Sequence, residues 1–350
     1  MCSPDSEETM DPDAVAEVSR VPHGSSDDVN LVDFSANTNP ERPPGAVCTY
    51  ESAFAAAGRY PPDDYTDFRV AAGEYVDCDP HHVTPTAGGM AALRLAFGVT
   101  VGPGDDVLLP EPSFGEYDRE VRLQGATPVA VAHDELLATD PADYAAVVVC
   151  NPNNPTGEAA DPDELRAYLA DCRAADTVLV ADEAFLDFTD YPSLAGEPGV
   201  VVARSLTKMF GLPGLRAGFA VATGELADRL DAARPPWGLS TPAADVGAHC
   251  MRQSEFVAET KARVRRERER MRDRLSAGFE VFPSDAPFLL LGVTGEGAAG
   301  DVDALLRHAR ERGFALRDAR TFETLDSHVR VAVRRPDEND DLVEALLSFP

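Results

Sequence analysis

The chain has almost no lysine. Among its 350 residues only Lys208 and Lys261 occur, so nearly all of its positive charge is arginine. Positive charge is scarce overall: 31 Lys and Arg stand against 61 Asp and Glu, for a formal net charge of −30. A field of that sign repels nucleic acid, which excludes it as a partner. No apolar run reaches the roughly 18 residues a membrane-spanning helix needs. The opening MCSPDSEETMDPDAVAEVSR lacks the apolar core of a secretory signal. Cysteines at 2, 48, 78, 150, 172 and 250 form no C-x-x-C pair, and the 7 histidines form no H-E-x-x-H, so no metal site is expected. Reduced thiols in a cytoplasm are the plain reading of that pattern.

What is present is acid, spread along the whole chain. A Lys-poor acidic surface suits salt adaptation, because at molar salt the Debye length falls to about 3 Å and self-repulsion is screened. An acidic surface for a binding partner is the competing explanation. The hydrophobic fraction of 44% is that of a globular protein, and the length calls for a large and a small lobe.

Short β-branched runs alternate with amphipathic stretches. Strands are expected at Asp106–Leu109, Thr127–Val131, Ala145–Cys150, Thr177–Ala181, Val200–Ala203 and Ala217–Ala222. Helices are expected between them at Gly89–Phe97, Phe114–Gln124, Pro162–Ala174 and Gly224–Ala233. This alternation predicts an α/β fold whose mostly parallel sheet is covered by helices on both faces. After about residue 253 the texture changes. A charge-laced helix at Glu255–Leu275 reads as a solvated bridge, followed by strands at Glu280–Pro283, Pro287–Gly292, Phe314–Arg317 and His328–Val333 and helices at Val302–Arg312 and Asp337–Leu347. TGEGAAGD (294–301) reads as a loop, and no internal repeat is present. The organisation expected is a flexible acidic 1–28, a segment 29–50 joining the small domain, a large domain over 51–252, a bridging helix over 253–275 and a small α+β domain over 276–350.

Chemistry concentrates in a few segments. ARSLTKMFGLPGLRAGFA (203–220) sets Ser205, Thr207, Lys208 and Arg216 between two strands, so hydroxyls and a guanidinium can hold a phosphate while an amine is presented. A lysine in a structural salt bridge is the bland alternative. Asp182, in VLVADEAFLDF, ends a buried-looking strand, where ligands of open α/β sheets bind; most such aspartates are helix caps. NPNNPTG (151–157) follows the strand AAVVVC and leaves Asn154 with a free amide. In TPTAGGMAALRLAF a glycine pair opens a helix, so the Gly88, Gly89 and Met90 backbone can bind phosphate or simply start the helix. Phe114 could stack on a flat ring or belong to the core.

Taken together, NPNNPTG, DEAF, SLTK and the arginine that follows resemble the class I/II aminotransferase superfamily of pyridoxal-phosphate (PLP) enzymes, fold type I, from about residue 30 to 350. The resemblance implies that Lys208 binds the cofactor covalently, that Asp182 pairs with its ring nitrogen, and that Asn154 donates to its phenolic oxygen. Ser205, Thr207, Arg216 and the Gly88–Met90 backbone would hold its phosphate, and Phe114 would stack on its ring. Tyr60, in GRYPPDDY, looks like the tyrosine that reaches a neighbour's cofactor, implying a homodimer with shared sites. Arg330 matches the arginine that takes the substrate α-carboxylate, and Asn39 and Asn154 would also face the substrate.

Within the superfamily the neighbours are L-threonine-O-3-phosphate decarboxylase and histidinol-phosphate aminotransferase. VDFSANTNP (32–40), Phe185 in DEAFLDF where aminotransferases carry tyrosine, SLTKMFGLPGLRAG, and Arg334 in RVAVRRPDEN resemble the decarboxylase. Arg334 beside Arg330 suits a second anion such as a substrate phosphate. AGGM replaces the usual Asn-Gly-Glu-Thr-like helix start, and LSTP (239–242) resembles the aminotransferase. The implied reaction is decarboxylation of a phosphorylated amino acid, with transamination of histidinol phosphate as the alternative.

Overall fold

The apolar runs that read as doubly covered strands pair with one another in a computed structural model, which describes residues 10–293 and 301–350. The strands are, in chain order, β1 Val32–Asp33, β2 Val83–Thr86, β3 Asp106–Glu111, β4 Thr127–Ala132, β5 Ala146–Cys150, β6 Val178–Asp182, β7 Val200–Ser205 and β8 Gly218–Val221. The C-terminal third adds β9 Glu280–Val281, β10 Phe288–Gly292, β11 Phe314–Ala315, β12 Arg317–Asp318 and β13 His328–Ala332. Seven strands form one sheet in the order β2-β8-β7-β6-β5-β3-β4. It is parallel from β4 through β7; β8 runs antiparallel to both β7 and β2.

Alternation of side chains decides which face each residue covers. Val147 and Val149, Leu179 and Ala181, and Val200 and Val202 enter one apolar cluster. Ala146, Val148 and Cys150, Val180, and Val201 and Ala203 enter the other. Both clusters are closed by helices, Pro162–Ala174 and Thr241–Met251 among those on the first face and Gly89–Thr100 on the second. Each fully buried valine contributes about 1.5–3 kcal/mol relative to exposure, so the sheet is a rigid base for whatever stands at its strand ends.

The small sheet has the order β12-β13-β10-β9, all antiparallel, and a separate two-stranded ladder pairs β1 in parallel with β11. The segment around residue 32 therefore joins the C-terminal third. The helix Ser254–Leu275 leads into this part, and its Arg268 donates to the Ala286 carbonyl at 3.0 Å.

Differences from the sequence expectations are local. The strand expected at Phe314–Arg317 splits into β11 and β12, which serve different sheets. The helix expected from Phe114 begins at Glu116, leaving Phe114 in the preceding loop. β2 was not expected; it is short, carries Pro85, and lies at the sheet edge, where a proline is tolerated. Part of the acidic N-terminus expected to be flexible follows a defined course. Asp11 caps the helix Pro12–Glu17, accepting from the Asp13 N–H at 2.9 Å, and its own N–H donates to the Leu123 carbonyl at 2.9 Å. The loop expected over 294–301 lies, apart from Asp301, outside the described residues.

Candidate active site

In the parallel part of the sheet β3 and β4 run outward in one direction, and β5, β6 and β7 in the other. A crevice opens at that reversal, beyond the carboxyl ends of the strands. Phe114 follows β3, Asn154 follows β5, Asp182 ends β6, Ser205 ends β7, and Thr207 and Lys208 follow it. Topology thus brings together residues scattered over about a hundred positions.

Ser205 caps a single helical turn, Leu206–Met209, accepting from the Thr207 N–H at 3.4 Å. The turn is tied down by Asn39, whose backbone N–H donates to the Lys208 carbonyl at 3.0 Å and whose side-chain amide donates to the Met209 carbonyl at 2.8 Å. Gly211, at φ +62°, lets the chain pass against the Asn39 and Glu41 carbonyls, where a Cβ would lie at 2.6 and 2.4 Å. Asn39 Oδ1 accepts from Arg263 at 2.6 Å and from the Glu41 N–H at 3.1 Å. Both ends of that amide are committed to the scaffold, so the substrate contact expected of Asn39 is replaced by a role behind the lysine turn.

The two lysines differ sharply. Lys261 pairs with Asp190 at 2.6 Å. Lys208 makes no carboxylate pair among the described residues, and its Nζ lies 5.4 Å from the Phe185 ring centroid. Burial lowers its pKa to about 8; Arg330 and Arg216 push the same way, and Asp182 opposes them. A sizeable neutral fraction near neutral pH makes this amine a nucleophile toward an aldehyde.

Asp182 is buried, and burial raises its pKa. Opposing that, Tyr117 donates its hydroxyl to Oδ2 at 2.6 Å and the Ala184 N–H donates to Oδ1 at 3.0 Å. Tyr117 also meets Phe114 edge-on, centroids 5.6 Å apart. Nothing in the sequence pairs residue 117 with residue 182, and the contact was not foreseen.

The phosphate cradle depends on glycine. The helix Gly89–Thr100 starts without a side-chain cap, leaving its first N–H groups for an anion. At Gly88, φ +92°, a Cβ would stand 2.6 Å from Arg216 Nη2, and at Gly89 one would stand 3.0 Å from Ser205 Cβ. Close approach is what places Arg216 and Ser205 over the helix start. Arg216 itself sits in the left-handed region at φ 54° and is exposed.

Arg330, on β13, is buried; it donates to Asn154 Oδ1 and, at 3.0 Å, to the Ser35 carbonyl. Among the described residues the Asn154 amide N–H groups have no side-chain acceptor, so they can donate to a ligand. Arg317 of β12 lies directly opposite Arg330 in the ladder. It too is buried, and it donates to the Pro22 carbonyl at 2.9 Å. Neither guanidinium pairs with a carboxylate among the described residues, and the Nε of each lacks a partner. Burial lowers the pKa of both, that of Arg330 to about 9 with Arg317 adding to the effect. Asn37, held between Ser35 and Asn39, is buried with Oδ1 unpartnered.

Arg334 falls elsewhere than expected, and Tyr60 lies outside its own subunit's crevice. Arg334 is committed to Glu338 at 3.1 Å and to the Asp33 carbonyl at 3.1 Å, and lies over the Phe34 ring, tying the last helix to β1. The guanidinium beside Arg330 that, among the described residues, has no carboxylate partner is that of Arg317. Tyr60 is 76% exposed and stacks on Trp237 at 4.4 Å, on the molecular surface.

The remaining set fits PLP by the chemistry of its own groups: a depressed lysine amine, a buried carboxylate that accepts from two donors, an Asn154 amide, an open helix start and an aromatic ring at Phe114. Residues 29–346 match the family described as Aminotransferase class I and II. The chain is 31% identical to histidinol-phosphate aminotransferase 1 of Archaeoglobus fulgidus, over 90% of this chain and 98% of that one. It is 32% identical to a putative threonine-phosphate decarboxylase of Caldanaerobacter subterraneus subsp. tengcongensis, over 89% and 88%. The crystal structure of L-threonine-O-3-phosphate decarboxylase from Porphyromonas gingivalis superposes with a TM-score of 0.81 at 25% identity, covering 91% of this chain and 99% of that one. The chain belongs to the class I and II aminotransferase family, PLP-dependent enzymes of fold type I.

Proposed function

We propose that the protein decarboxylates L-threonine O-3-phosphate to (R)-1-aminopropan-2-yl phosphate, a step that would feed the aminopropanol arm of cobalamin synthesis. The observation that carries this reading is the facing pair Arg317 and Arg330, buried and without carboxylate partners. Like charges directly opposite on neighbouring strands repel, and two anions on one small molecule would relieve that repulsion. A phosphorylated β-hydroxy amino acid carries both, its carboxylate and its phosphate only a few bonds apart. Arg330 would take the carboxylate and Arg317 the phosphate, with Asn37 within reach of the same ligand.

When bound, the cofactor supplies an electron sink for the pair left at the substrate Cα. Asp182 keeps the ring nitrogen side of the pocket negative and so favours a protonated ring. Phe114 and the Asn154 amide fix the plane of the pocket. The bond at Cα that stands perpendicular to that plane is the one that breaks, so the arginines choose the reaction by choosing how the carboxylate is held. Lys208, once displaced, is the group placed to return a proton to Cα.

Transamination of histidinol phosphate is the second reading, supported by the 31% identity to the Archaeoglobus fulgidus aminotransferase. Incubating the holoenzyme with L-threonine O-3-phosphate should release CO2 and yield a product of the mass of aminopropanol phosphate. Glutamate-forming turnover of histidinol phosphate with 2-oxoglutarate, and no CO2 from threonine phosphate, would reverse the assignment.

The same reading makes the protein a homodimer in which Tyr60 serves the neighbour's cofactor phosphate. Val47, Tyr50 and Phe54 of the helix Ala46–Phe54, and the stacked Tyr60 and Trp237, are exposed apolar side chains that such a contact could bury. Its charge of −30 fits a protein that works in concentrated salt.

A further inference from the structure

Tyr117 is entirely buried and its hydroxyl reaches one acceptor of consequence, Asp182 Oδ2 at 2.6 Å. Its ring is fixed at the same time, edge-on to Phe114 with centroids 5.6 Å apart. It stands on the helix Glu116–Leu123, whereas Asp182 ends β6, so two separate elements are braced against each other through this hydrogen bond. From this geometry we infer that Tyr117 is a positioning residue that keeps the Asp182 carboxylate aimed at the cofactor's ring nitrogen and, by donating to it, favours its ionised form. The inference rests on the cofactor assignment above.

The reasoning concerns what remains once the cofactor is in place. Among the groups that oppose the effect of burial on Asp182, Tyr117 comes first, then the Ala184 N–H, then Lys208 and Arg204. Lys208 is the residue that loses its free ammonium when it binds the cofactor, so its help weakens in the loaded protein. Arg204 is already engaged by Glu183 at 2.9 Å and by Asp187. The Cys150 thiol, the other titratable group against Tyr117, is driven upward by burial and then by Asp182, so it stays neutral and supplies no charge. Burial, and then Asp182, also raise the Tyr117 phenol well above its ordinary range. It therefore remains a donor at every working pH. A charge-assisted hydrogen bond in a dry site is about twice as strong as a neutral one. Without it Asp182 competes for the proton it shares with the ring nitrogen, and the ring becomes a poorer electron sink.

The test uses the holoenzyme and needs no substrate. Tyr117→Phe keeps the ring and the Phe114 contact and removes only the donor. Loaded with PLP labelled with 15N in the ring, the variant should show its ring-nitrogen resonance displaced toward that of neutral pyridine. A less protonated ring withdraws fewer electrons from the lysine–cofactor linkage, so the visible band should titrate at a pH higher by about half a unit. Tyr117→3,5-difluorotyrosine, a stronger donor of nearly the same shape, should move both readouts the opposite way. It also decides the matter if the phenylalanine variant fails to fold. A structural role alone does not give shifts of opposite sign. If the variants show the visible band but neither the resonance nor the midpoint moves, the inference fails. If the unaltered protein shows no visible band, the cofactor assignment fails instead.

Discussion

At the scale of single residues, Arg317 and Arg334 can be told apart. Arg317→Leu should raise KM for threonine phosphate by about a hundredfold or more, since removing one partner of a buried charge contact costs roughly 2–5 kcal/mol. Arg334→Leu should lower Tm through its lost Glu338 and Asp33 contacts, and leave KM nearly unchanged. A large rise in KM from Arg334→Leu with none from Arg317→Leu would mean that Arg334, not Arg317, faces the second anion. Lys208 carries a pH dependence. Its folded pKa, about 8, lies below the ordinary 10.5, and attack on the aldehyde needs the neutral amine. The rate at which the apoprotein takes up PLP should therefore climb as pH rises through 8, followed by the growth of the visible band. The unfolded chain holds more protons than the folded one between about 8 and 10.5, so this group favours folding increasingly as pH rises through that window. A loading rate flat from pH 6 to 10 would contradict a buried, depressed amine. Phe185 makes a third point. It is buried and gives no hydroxyl toward the cofactor, so Phe185→Tyr should lower the pH at which the visible band titrates; a rise, or no change, would place residue 185 away from the cofactor's phenolic oxygen.

At the scale of elements, what was legible follows from how local the information is. β5, β6 and β7 were read correctly because two-sided burial writes itself as an apolar run, and Pro162–Ala174 because Asp161 caps it with Pro162 in its first turn. The lysine turn and the Asn-Pro loop were legible because each is contiguous. Arg317 was not, because its significance is a register: it faces Arg330 only after β12 and β13 pair. Arg334 was misplaced for a related reason. It was placed beside Arg330 by resemblance to the decarboxylase sequence, and only the fold shows its guanidinium committed to Glu338 and the Asp33 carbonyl. Tyr117 and Asp182 likewise meet only through the fold. The glycine cradle yields a prediction at this scale. Gly88→Ala adds a Cβ 2.6 Å from the Arg216 guanidinium at a backbone angle that disfavours any side chain. PLP should dissociate at least tenfold faster on gel filtration, with the fold by circular dichroism intact. Unaltered retention would put the phosphate somewhere other than this helix start.

At the scale of the whole molecule, the acidity and the proposed dimer meet. Many of the arginines pair with the abundant carboxylates, as in Arg270 with Glu267 and Asp340, or Arg234 with Asp63 and Asp231, yet a net charge of −30 remains. Two such subunits brought together repel across their whole surfaces, whereas exposed apolar side chains such as Tyr50, Phe54, Tyr60 and Trp237 gain by burial. Salt screens the first term and strengthens the second. Association should therefore tighten as KCl rises from about 0.1 to 2 M, the reverse of a dimer held by surface ion pairs, and sedimentation at graded salt measures it. Whether the association also completes the site is a separate question with its own readout. Tyr60 lies on the surface, stacked on Trp237. If it acts on the partner's cofactor phosphate, a subunit altered at Tyr60→Ala and one altered at Lys208→Ala are defective for different sites. In the mixed dimer one site then collects both defects and the other has neither. Mixing the two weakly active homodimers, unfolding and refolding them together, should restore up to about half of normal activity per mixed dimer. If instead Tyr60 serves its own subunit, the mixed dimer keeps one site lacking lysine and one lacking tyrosine, and activity does not rise above that of the Tyr60→Ala protein.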